Sequence, residues 1–321
     1  MQAAAGQKPL RLDRFLTQAL PAISRNKVHS LIEAGLVFVN GQTVRKSWRV
    51  TGGDTVEILF RPQEPSDIAP EAIPLEIHFE DEHVLVVNKP AGMVTHPAHG
   101  NFSGTLVNAL LHHLGQTTNP ENLRPGIVHR LDKGTSGLLV VAKNERVHRK
   151  LTEQFSSRTV DREYRAIVWG RFRNDGDVIE AQLDRHPGDR KRFAVVRRGG
   201  KEAVTTYHVI ENYADTAYLK LKLGTGRTHQ IRVHLEHIGH PVFGDSSYGG
   251  RLKRIGHFGG NRKKFYHELF DNVEHFLLHA RTLGFVHPVS GSALSFAVEP
   301  PVAFSKVLEI LKEDALLELD K

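Results

Sequence analysis

The spacing of apolar residues changes from a helical to an extended period near the start of the chain. Residues 10–20 place apolar side chains on one helical face, and residues 25–35 repeat that spacing after Ser24, a typical N-cap residue. Asn40 and Gly41 then separate two β-prone runs, and this dipeptide is a strong signal for a β-hairpin. The pattern therefore predicts a small module of two helices followed by short strands.

A proline-rich stretch divides the chain. Residues 61–74 contain four prolines among acidic and small residues, which is typical of a semi-stiff, extended linker. We therefore predict a first domain over residues 10–60, this linker, and a second domain over residues 75–321.

Strand patterns dominate the second domain, and Gly-rich or charged turns separate most of them. Strands are predicted at 75–80, 84–88 and 162–170 and repeatedly within 171–222, and helices at 105–115, at 145–158, from about 229 and near the C-terminus. This order favours an α+β fold with a mixed, mainly antiparallel sheet and flanking helices over a regular βαβ array.

One stretch of the second domain, residues 126–143, combines two apolar runs with a short polar segment. Residues 138–142 are apolar without alternation, so we expect a strand buried on both faces. Gly134 and Gly137 flank the turn before it and allow a positive φ or a close backbone approach. The pattern places Asp132 in a turn beside a buried strand.

Asp132 is the candidate nucleophile or base of this segment. Arg130 and Lys133 are adjacent in sequence, and nearby cations favour the ionised form of a carboxyl group. On the local pattern alone, a salt-bridged aspartate in a turn is the simpler interpretation.

Composition excludes several kinds of chemistry. The chain has 321 residues, 40% of them hydrophobic and 25% charged, and it contains no cysteine, so disulfides, cysteine zinc sites and thiol catalysis are excluded. Neither a signal peptide nor an apolar run of membrane-spanning length is present, and we expect a cytoplasmic protein without membrane contact. The net charge of +7 favours a polyanionic partner.

The segment HRLDKGTSGLLVVAK resembles the catalytic motif of the RluA family of RNA pseudouridine synthases, and the similarity extends from about residue 74 to 301. The motif implies that Asp132 is the catalytic carboxylate and that Arg130 fills the space left by a flipped-out base. It also places His129 and Thr135 among the residues that contact the substrate. Arg130 has a second interpretation as a mere ion-pair partner of Asp132.

Two further segments resemble motifs of the same family. In REYRAIVWG, the match implies that Tyr164 stacks on the target base, although a half-buried strand tyrosine would give the same local pattern. In GRTHQIRVHL, it implies that Arg232 pairs with the catalytic carboxylate and that Ile231 lines the pocket.

The first domain resembles the S4 RNA-binding domain in its RLDRFL opening, its SR pair and its VNG turn. The resemblance and the clustered charge imply RNA contacts by Arg25, Lys27 and Arg45. The basic residues of the helix predicted at 145–158 could also face phosphates, although charge on a helix usually marks its solvated face.

The resemblance implies that the protein isomerises uridine to pseudouridine in RNA and that this reaction needs no metal or cofactor. The arrangement is most similar to the RluD type, which acts on large-subunit ribosomal RNA, so that RNA or its assembly precursor is the expected partner, with a monomeric enzyme. The residues leave open whether Asp132 attacks the sugar, attacks the base or takes a proton.

Several alternatives stay open at this level. His234, His237 and His240 are too spread along a helix to converge readily on zinc. The basic and aromatic stretch 248–275 fits either a loop that contacts RNA or a plain surface insertion. A non-catalytic RNA-binding protein and a hydrolase that pairs Asp132 with a histidine are the competing functions.

Overall fold

The computed structural model describes residues 1–20, 25–59, 68–97, 101–115, 126–189 and 191–319, with only the backbone at residues 25–27, 30 and 318–319. The chain divides into two compact units, Met1–Glu64 and Pro65–Lys321. Within the described ranges, no helix has the length and apolar character needed to cross a membrane.

The described residues of the first unit form two helices and five short strands. They are β1 (Leu10–Arg11), α1 (Leu12–Ala19), α2 (Arg25–Glu33), β2 (Val37–Val39), β3 (Gln42–Thr43), β4 (Arg49–Val50) and β5 (Val56–Ile58). The hairpin prediction is confirmed, since Asn40 and Gly41 have φ of 50° and 77° and join β2 to β3. Positive φ at both central residues is what a tight hairpin turn requires.

The core of this unit is formed by the apolar faces that the sequence pattern predicted. Leu12 and Leu16 of α1 pack with Val28 and Ile32 of α2 and with the valines of β2. Ser24, the expected N-cap of α2, lies outside the described residues.

The second unit contains ten strands and six helices among its described residues. The strands are β6 (Glu76–Glu80), β7 (Val84–Lys89), β8 (Ser136–Ala142), β9 (Asp161–Trp169), β10 (Gly176–Arg185), β11 (Phe193–Val196), β12 (Lys201–Asn212), β13 (Thr216–Leu223), β14 (Leu278–Val286) and β15 (Ala293–Ala297). The helices are α3 (Leu106–His113), α4 (Glu145–Ser156), α5 (Gln230–His237), α6 (Leu252–Ile255), α7 (Gly260–Asp271) and α8 (Val302–Leu319).

These ten strands form one sheet in the order β11-β10-β12-β13-β9-β14-β8-β7-β6, with β15 paired to β14. All the pairs are antiparallel except β8 with β14. The predicted α+β class with a mixed, mainly antiparallel sheet is confirmed.

The parallel contact between β8 and β14 joins two parts of the sheet through only two residue pairs, His279 with Ser136 and Ala280 with Gly137. All seven residues of β8 are buried, as its continuous apolar run predicted. Gly137 has φ of 116°, and a Cβ there would lie 2.2 Å from the Ala280 carbonyl oxygen, so glycine is required for the strands to meet. We call this contact the seam.

Helices α6 and α7 occupy most of the stretch whose role the sequence left open. Tyr266, Leu269 and Phe270 of α7 are buried in a cluster with Trp169 and with residues of α8. The stretch is therefore an ordered helical insertion with its own core, and not an adaptable loop.

The predicted linker differs from the structure in its second half. Residues 61–67 lie outside the described part of the chain. Ile68 is buried against Val107 and Leu111, and the Asn108 side chain donates a hydrogen bond to the Ala69 carbonyl oxygen. These residues belong to the second unit because Ile68 packs on α3. The spacing of prolines alone does not indicate this contact.

Candidate active site

A cleft of about 390 Å³ opens where the turn before β8, the start of β9 and the start of α5 meet. Asp132, Tyr164 and Arg232 all line it. The sequence separates these residues by up to 100 positions, and the fold brings them together.

The turn that carries Asp132 has a fixed backbone. The Thr135 N–H donates to the Asp132 carbonyl oxygen at 3.0 Å and closes the turn. From the loop after β7, the Thr95 hydroxyl donates to the Leu131 carbonyl at 2.8 Å, and the Gly92 N–H donates to the Lys133 carbonyl at 2.7 Å. The carbonyls on both sides of Asp132 are therefore braced from outside the turn.

The carboxylate of Asp132 pairs with Arg232 and not with its sequence neighbours. The Arg232 Nη1 donates to Asp132 Oδ2 at 3.0 Å, while Arg130 and Lys133 are both exposed. The alternative interpretation of Arg130 as an ion-pair partner of Asp132 is not supported, since no ion pair joins Arg130 or Lys133 to Asp132 among the described residues. Side chains next to each other in a tight turn diverge, and the cation comes from α5.

Arg232 is held on every side. Its Nε and Nη2 donate to the two oxygens of Asp245 at 2.6 and 3.1 Å, and its guanidinium carbon lies 4.8 Å from the ring centre of Tyr248 and 4.3 Å from that of Phe276. Burial alone would lower the pKa of Arg232, but the hydrogen bonds and charges of Asp245 and Asp132 outweigh it and raise that pKa. The guanidinium stays charged and fixed.

His229 lies beside the same carboxylate, with its Nε2 at 4.0 Å from Asp132 Oδ1. Its Nδ1 lies 2.9 Å from the Tyr248 hydroxyl, which in turn accepts a hydrogen bond from the Phe193 N–H. Burial lowers the pKa of His229, against the charge of Asp132. His229 also has φ of 57°, an unusual left-handed conformation for a residue with a side chain, directly before α5.

Tyr164 lies on β9 and is buried, with its ring in the main core and at the cleft. It pairs with Ala280 of β14, and Ala280 pairs with Gly137 of β8, so one row of the sheet runs from Tyr164 to the Asp132 turn. Burial raises the pKa of Tyr164, opposed by the charge of Arg162, so the phenol is protonated near neutral pH.

Among the other predicted residues, Ile231 and Thr135 are buried and line the cleft. The His129 Nε2 accepts a hydrogen bond from the Val140 N–H at 3.1 Å, and the ring stacks on Phe155 with centres 4.5 Å apart. Burial, helped by the charge of Arg162, lowers the pKa of His129 to about 3. His129 therefore supports the cleft wall as a neutral ring.

The last residue of β7, Lys89, is fully buried beside the loop that follows the strand. The Lys89 Nζ donates to the carbonyl oxygens of Pro90 and Met93 at 2.8 and 2.9 Å. Burial lowers the pKa of Lys89 to about 7, against the charge of Asp132. Through these two hydrogen bonds Lys89 shapes the loop that braces the Asp132 turn.

The three histidines after α5 begins do not form a metal site. His234 is fully buried with neither ring nitrogen bonded, His237 is exposed, and His240 stacks on Phe172. Across the described ranges, no group of three or more His, Asp or Glu side chains could hold a metal ion.

In the first unit, Arg45 is exposed, while the side chains of Arg25 and Lys27 lie outside the described residues. RNA contact by these three residues stays a prediction.

Sequence comparisons with known proteins match both units of the chain. A sequence profile described as RNA pseudouridylate synthase matches residues 83–237, and one described as S4 domain matches residues 10–56. An "Uncharacterized RNA pseudouridine synthase" from Chlorobaculum parvum is 44% identical, with 95% of each chain covered. The chain belongs to the RNA pseudouridine synthase family. It is thus an isomerase that acts on RNA and carries an S4 RNA-binding domain, as the resemblance led us to expect.

Two further comparisons place it within the family. A "Ribosomal large subunit pseudouridine synthase D" from Xylella fastidiosa is 42% identical, with 99% of this chain and 93% of that protein covered. The structure of human RNA Pseudouridylate Synthase Domain Containing 1 superposes with a TM-score of 0.54 and 22% identity over 75% of this chain and 96% of that chain. The latter supports the fold alone.

Sequence reasoning missed several residues that build the synthase cleft, namely Asp245, Tyr248, Phe276, His229 and Arg162. Most of them act on Arg232 or Asp132 and not on the outer surface of the cleft. The GDSSYGG segment contains two of them, and its acidic residue between glycines was the available signal.

Proposed function

We propose that this synthase isomerises specific uridines of large-subunit ribosomal RNA, with Asp132 as the catalytic carboxylate acting on a flipped-out uridine. The observation that carries the proposal is the Asp132–Arg232 ion pair at 3.0 Å inside a cleft that Tyr164 also lines. The choice of RNA follows the relatives that are named for the ribosomal large subunit, at 40–42% identity over nearly the whole chain. That substrate agrees with the expected cytoplasmic location.

The reaction breaks the bond between C1′ of the ribose and N1 of uracil and joins C1′ to C5. The hydrogen on C5 leaves and N1 gains one, so atoms balance without any added group. A uridine must leave its stack to enter the cleft, at a cost of a few kcal/mol. Asp132 supplies the anionic group, and Arg232, saturated on its other side by Asp245, orients it without needing to move.

Tyr164 and Ile231 provide the surface that retains the base once its sugar bond is broken. Both are buried and border the same cleft as Asp132, and an aromatic face suits an unstacked base. Arg130 is exposed and makes no ion pair among the described residues, which supports its role as the side chain that replaces the flipped base. The S4 unit would hold the surrounding RNA.

The experiment is tritium release from large-subunit ribosomal RNA labelled at uracil C5, with the wild type and Asp132→Asn. The wild type should release tritium, and the variant should lose release by at least about 10³-fold while still binding RNA. Release from transfer RNA only would overturn the choice of RNA. Free uracil among the products would identify a hydrolase, and tight binding without release by the wild type would favour a binding protein.

A further inference from the structure

The cleft carries more positive charge than its carboxylate can balance. Five arginines line it, and Asp132 is the sole carboxylate among the described residues that do so. Arg232 is neutralised by Asp132 and Asp245, whereas the others, Arg130, Arg158, Arg162 and Arg227, form no ion pair with any described residue. Such a surplus of charge in a concave site attracts a polyanion.

Arg162 is the most constrained of these arginines. Its guanidinium carbon lies 5.3 Å from the ring centre of Phe155, and its Nη1 faces Gly226, where a Cβ would lie only 3.5 Å away. Its Nε is buried and finds no acceptor among the described residues. Buried donors normally have a partner, so an Nε without one leaves this guanidinium with charge and donor capacity for an acceptor that arrives with the ligand.

The position of Arg162 relative to Tyr164 identifies that acceptor. The two residues are two apart on β9, so their side chains project from the same face of the sheet, about 7 Å apart along the strand. A base and the phosphodiester of its own nucleotide are separated by the width of a ribose. With the base against Tyr164 and the ribose at Asp132, the phosphodiester would reach Arg162.

Two further arginines extend the same wall. Arg158 precedes β9 and has φ of 62°, and Arg227 follows Gly226 and donates its Nε to the Glu202 carbonyl at 3.1 Å. Both line the cleft together with Arg162. We call these three residues the arginine wall.

We propose that the arginine wall binds the RNA backbone beside the target uridine, with Arg162 holding the phosphodiester of the flipped nucleotide. Arg158 and Arg227 bind the phosphodiesters that flank it. This inference rests on the proposed function, because it places the base and ribose of a uridine at Tyr164 and Asp132.

The basic residues of helix α4, the earlier candidates for phosphate contact, do not line the cleft. Lys143, just before the helix, pairs with Glu80 at 2.7 Å, and Lys150 donates to the Pro288 carbonyl. Arg149 is exposed on the same helix and does not line the cleft. Arg149→Ala is thus a matched control, since it removes one arginine from the same region without touching the wall.

The experiment measures binding of a short RNA loop that contains the modified uridine, with either all phosphodiesters or one uncharged methylphosphonate beside that uridine. Wild type should bind the methylphosphonate RNA about ten- to a hundredfold more weakly, the loss expected for one charged hydrogen-bonded contact. Arg162→Met should bind both RNAs with the same weakened affinity, while Arg162→Lys should retain the discrimination. Arg149→Ala should behave as the wild type. If Arg162→Met instead bound the methylphosphonate RNA more weakly than the normal RNA by the same factor as the wild type, the effects of the substitution and of the methylphosphonate would be additive, and the assignment would be overturned.

Salt dependence tests the other two arginines. Arg158→Ala and Arg227→Ala should each reduce the slope of log affinity against log salt by about 0.7, the value for one phosphate of a single strand. An unchanged slope in both variants would overturn the extended wall. Tritium release separates the two proposals. If the wild type releases tritium but the binding losses are additive, only the phosphate site is refuted. If the wild type releases no tritium, the proposed function is refuted together with the phosphate site.

Discussion

The two partners of the central ion pair are held in opposite ways. Four of the groups around Arg232 fix the side chain itself, namely Asp132, Asp245 and the rings of Tyr248 and Phe276. Around Asp132 the backbone is fixed, but its Oδ2 accepts a hydrogen bond from Arg232, and among the described residues only the His229 nitrogen, at 4.0 Å, forms an ion-pair contact with Oδ1. The cation is preorganised, and the carboxylate keeps one oxygen available for the substrate.

The partners also belong to different parts of the sheet. The Asp132 turn leads into β8, whereas Tyr164 lies on β9 and Arg232 on α5, on the other side of the seam. The seam comprises two residue pairs, so the catalytic geometry depends in part on how β8 and β14 meet there. The following changes separate what holds the cation, what holds the carboxylate and what joins them.

Removing the support of the cation should have the largest effect. Asp245→Ala leaves one side of the buried Arg232 unpaired, which should lower the free energy of unfolding by about 3–5 kcal/mol. The freed guanidinium would also lose its fixed angle to Asp132, and the single-turnover rate should fall on the order of a hundredfold. Urea unfolding and tritium release measure the two effects.

The matched control is Asp215→Ala, which removes a partner of Arg262 in the separate cluster of α7 and α8. It should cost stability without a comparable loss of rate. An Asp245→Ala enzyme that reacts at the wild-type rate would show that Arg232 does not need preorganisation.

Gly137→Ala tests the seam itself. The new Cβ would lie 2.2 Å from the Ala280 carbonyl oxygen, at a φ of 116°. Overlap and backbone strain should together lower the free energy of unfolding by about 3 kcal/mol and slow the reaction, because the row from Tyr164 to the turn is displaced. Thermal unfolding and single-turnover rates give the result.

Gly199→Ala is the control for strain alone, since Gly199 has φ of 82° with open space around it. It should cost about 1 kcal/mol and leave the rate unchanged. Equal losses in both variants would mean that the close approach at the seam has no energetic consequence.

A smaller effect is expected from the hydrogen bond across the seam. The His279 Nε2 donates to the Val298 carbonyl at 3.1 Å, so Nδ1 is free to accept from the Ser136 hydroxyl at 2.9 Å. Ser136→Ala should cost about 1–2 kcal/mol and reduce kcat more than it raises KM, because the Asp132 turn loses a contact that fixes its position. Ser136→Thr keeps the hydroxyl and should retain kcat. If kcat were unchanged in Ser136→Ala as well, the bond would contribute to stability only and the prediction would be contradicted.

Much of this arrangement could be predicted from local pattern. The buried strand β8, the Asn40-Gly41 hairpin and the need for glycine at 137 all follow from side chains and backbone freedom of adjacent residues. The Asp132–Arg232 pair, 100 positions apart, came from the family motifs and from no local rule.

The residues that could not be predicted are those whose effect depends on distant packing. Asp245 acts on Arg232 through a turn that only the fold brings behind α5, and Phe276 covers the same guanidinium from the segment just before β14. Arg130 and Lys133 are adjacent to Asp132 in sequence but form no ion pair with it among the described residues, and its partner Arg232 comes from α5. Adjacency along a turn does not fix where long side chains point.

The smallest expected effect concerns how the free energy of unfolding changes in acid through His129, near the Asp132 turn. Burial lowers the pKa of His129 to about 3, whereas an unfolded histidine titrates near its ordinary value of 6.5. Between those values the unfolded chain binds the extra proton, so His129 makes stability fall as the pH decreases from 6.5 towards 3. His129→Gln, which keeps an acceptor for the Val140 N–H, should remove about 1 kcal/mol of this loss at pH 6.

His234 lies on α5, the helix that carries Arg232, and burial lowers its pKa to about 4. The same measurement can therefore be made for the helix that holds the cation. Urea unfolding at pH 5 to 8 compares how much each histidine contributes to the loss of stability in acid, with His78→Gln, at an exposed position, as the control. Parallel pH curves for His129→Gln and the wild type would contradict the assignment of a buried, neutral ring to the Asp132 side.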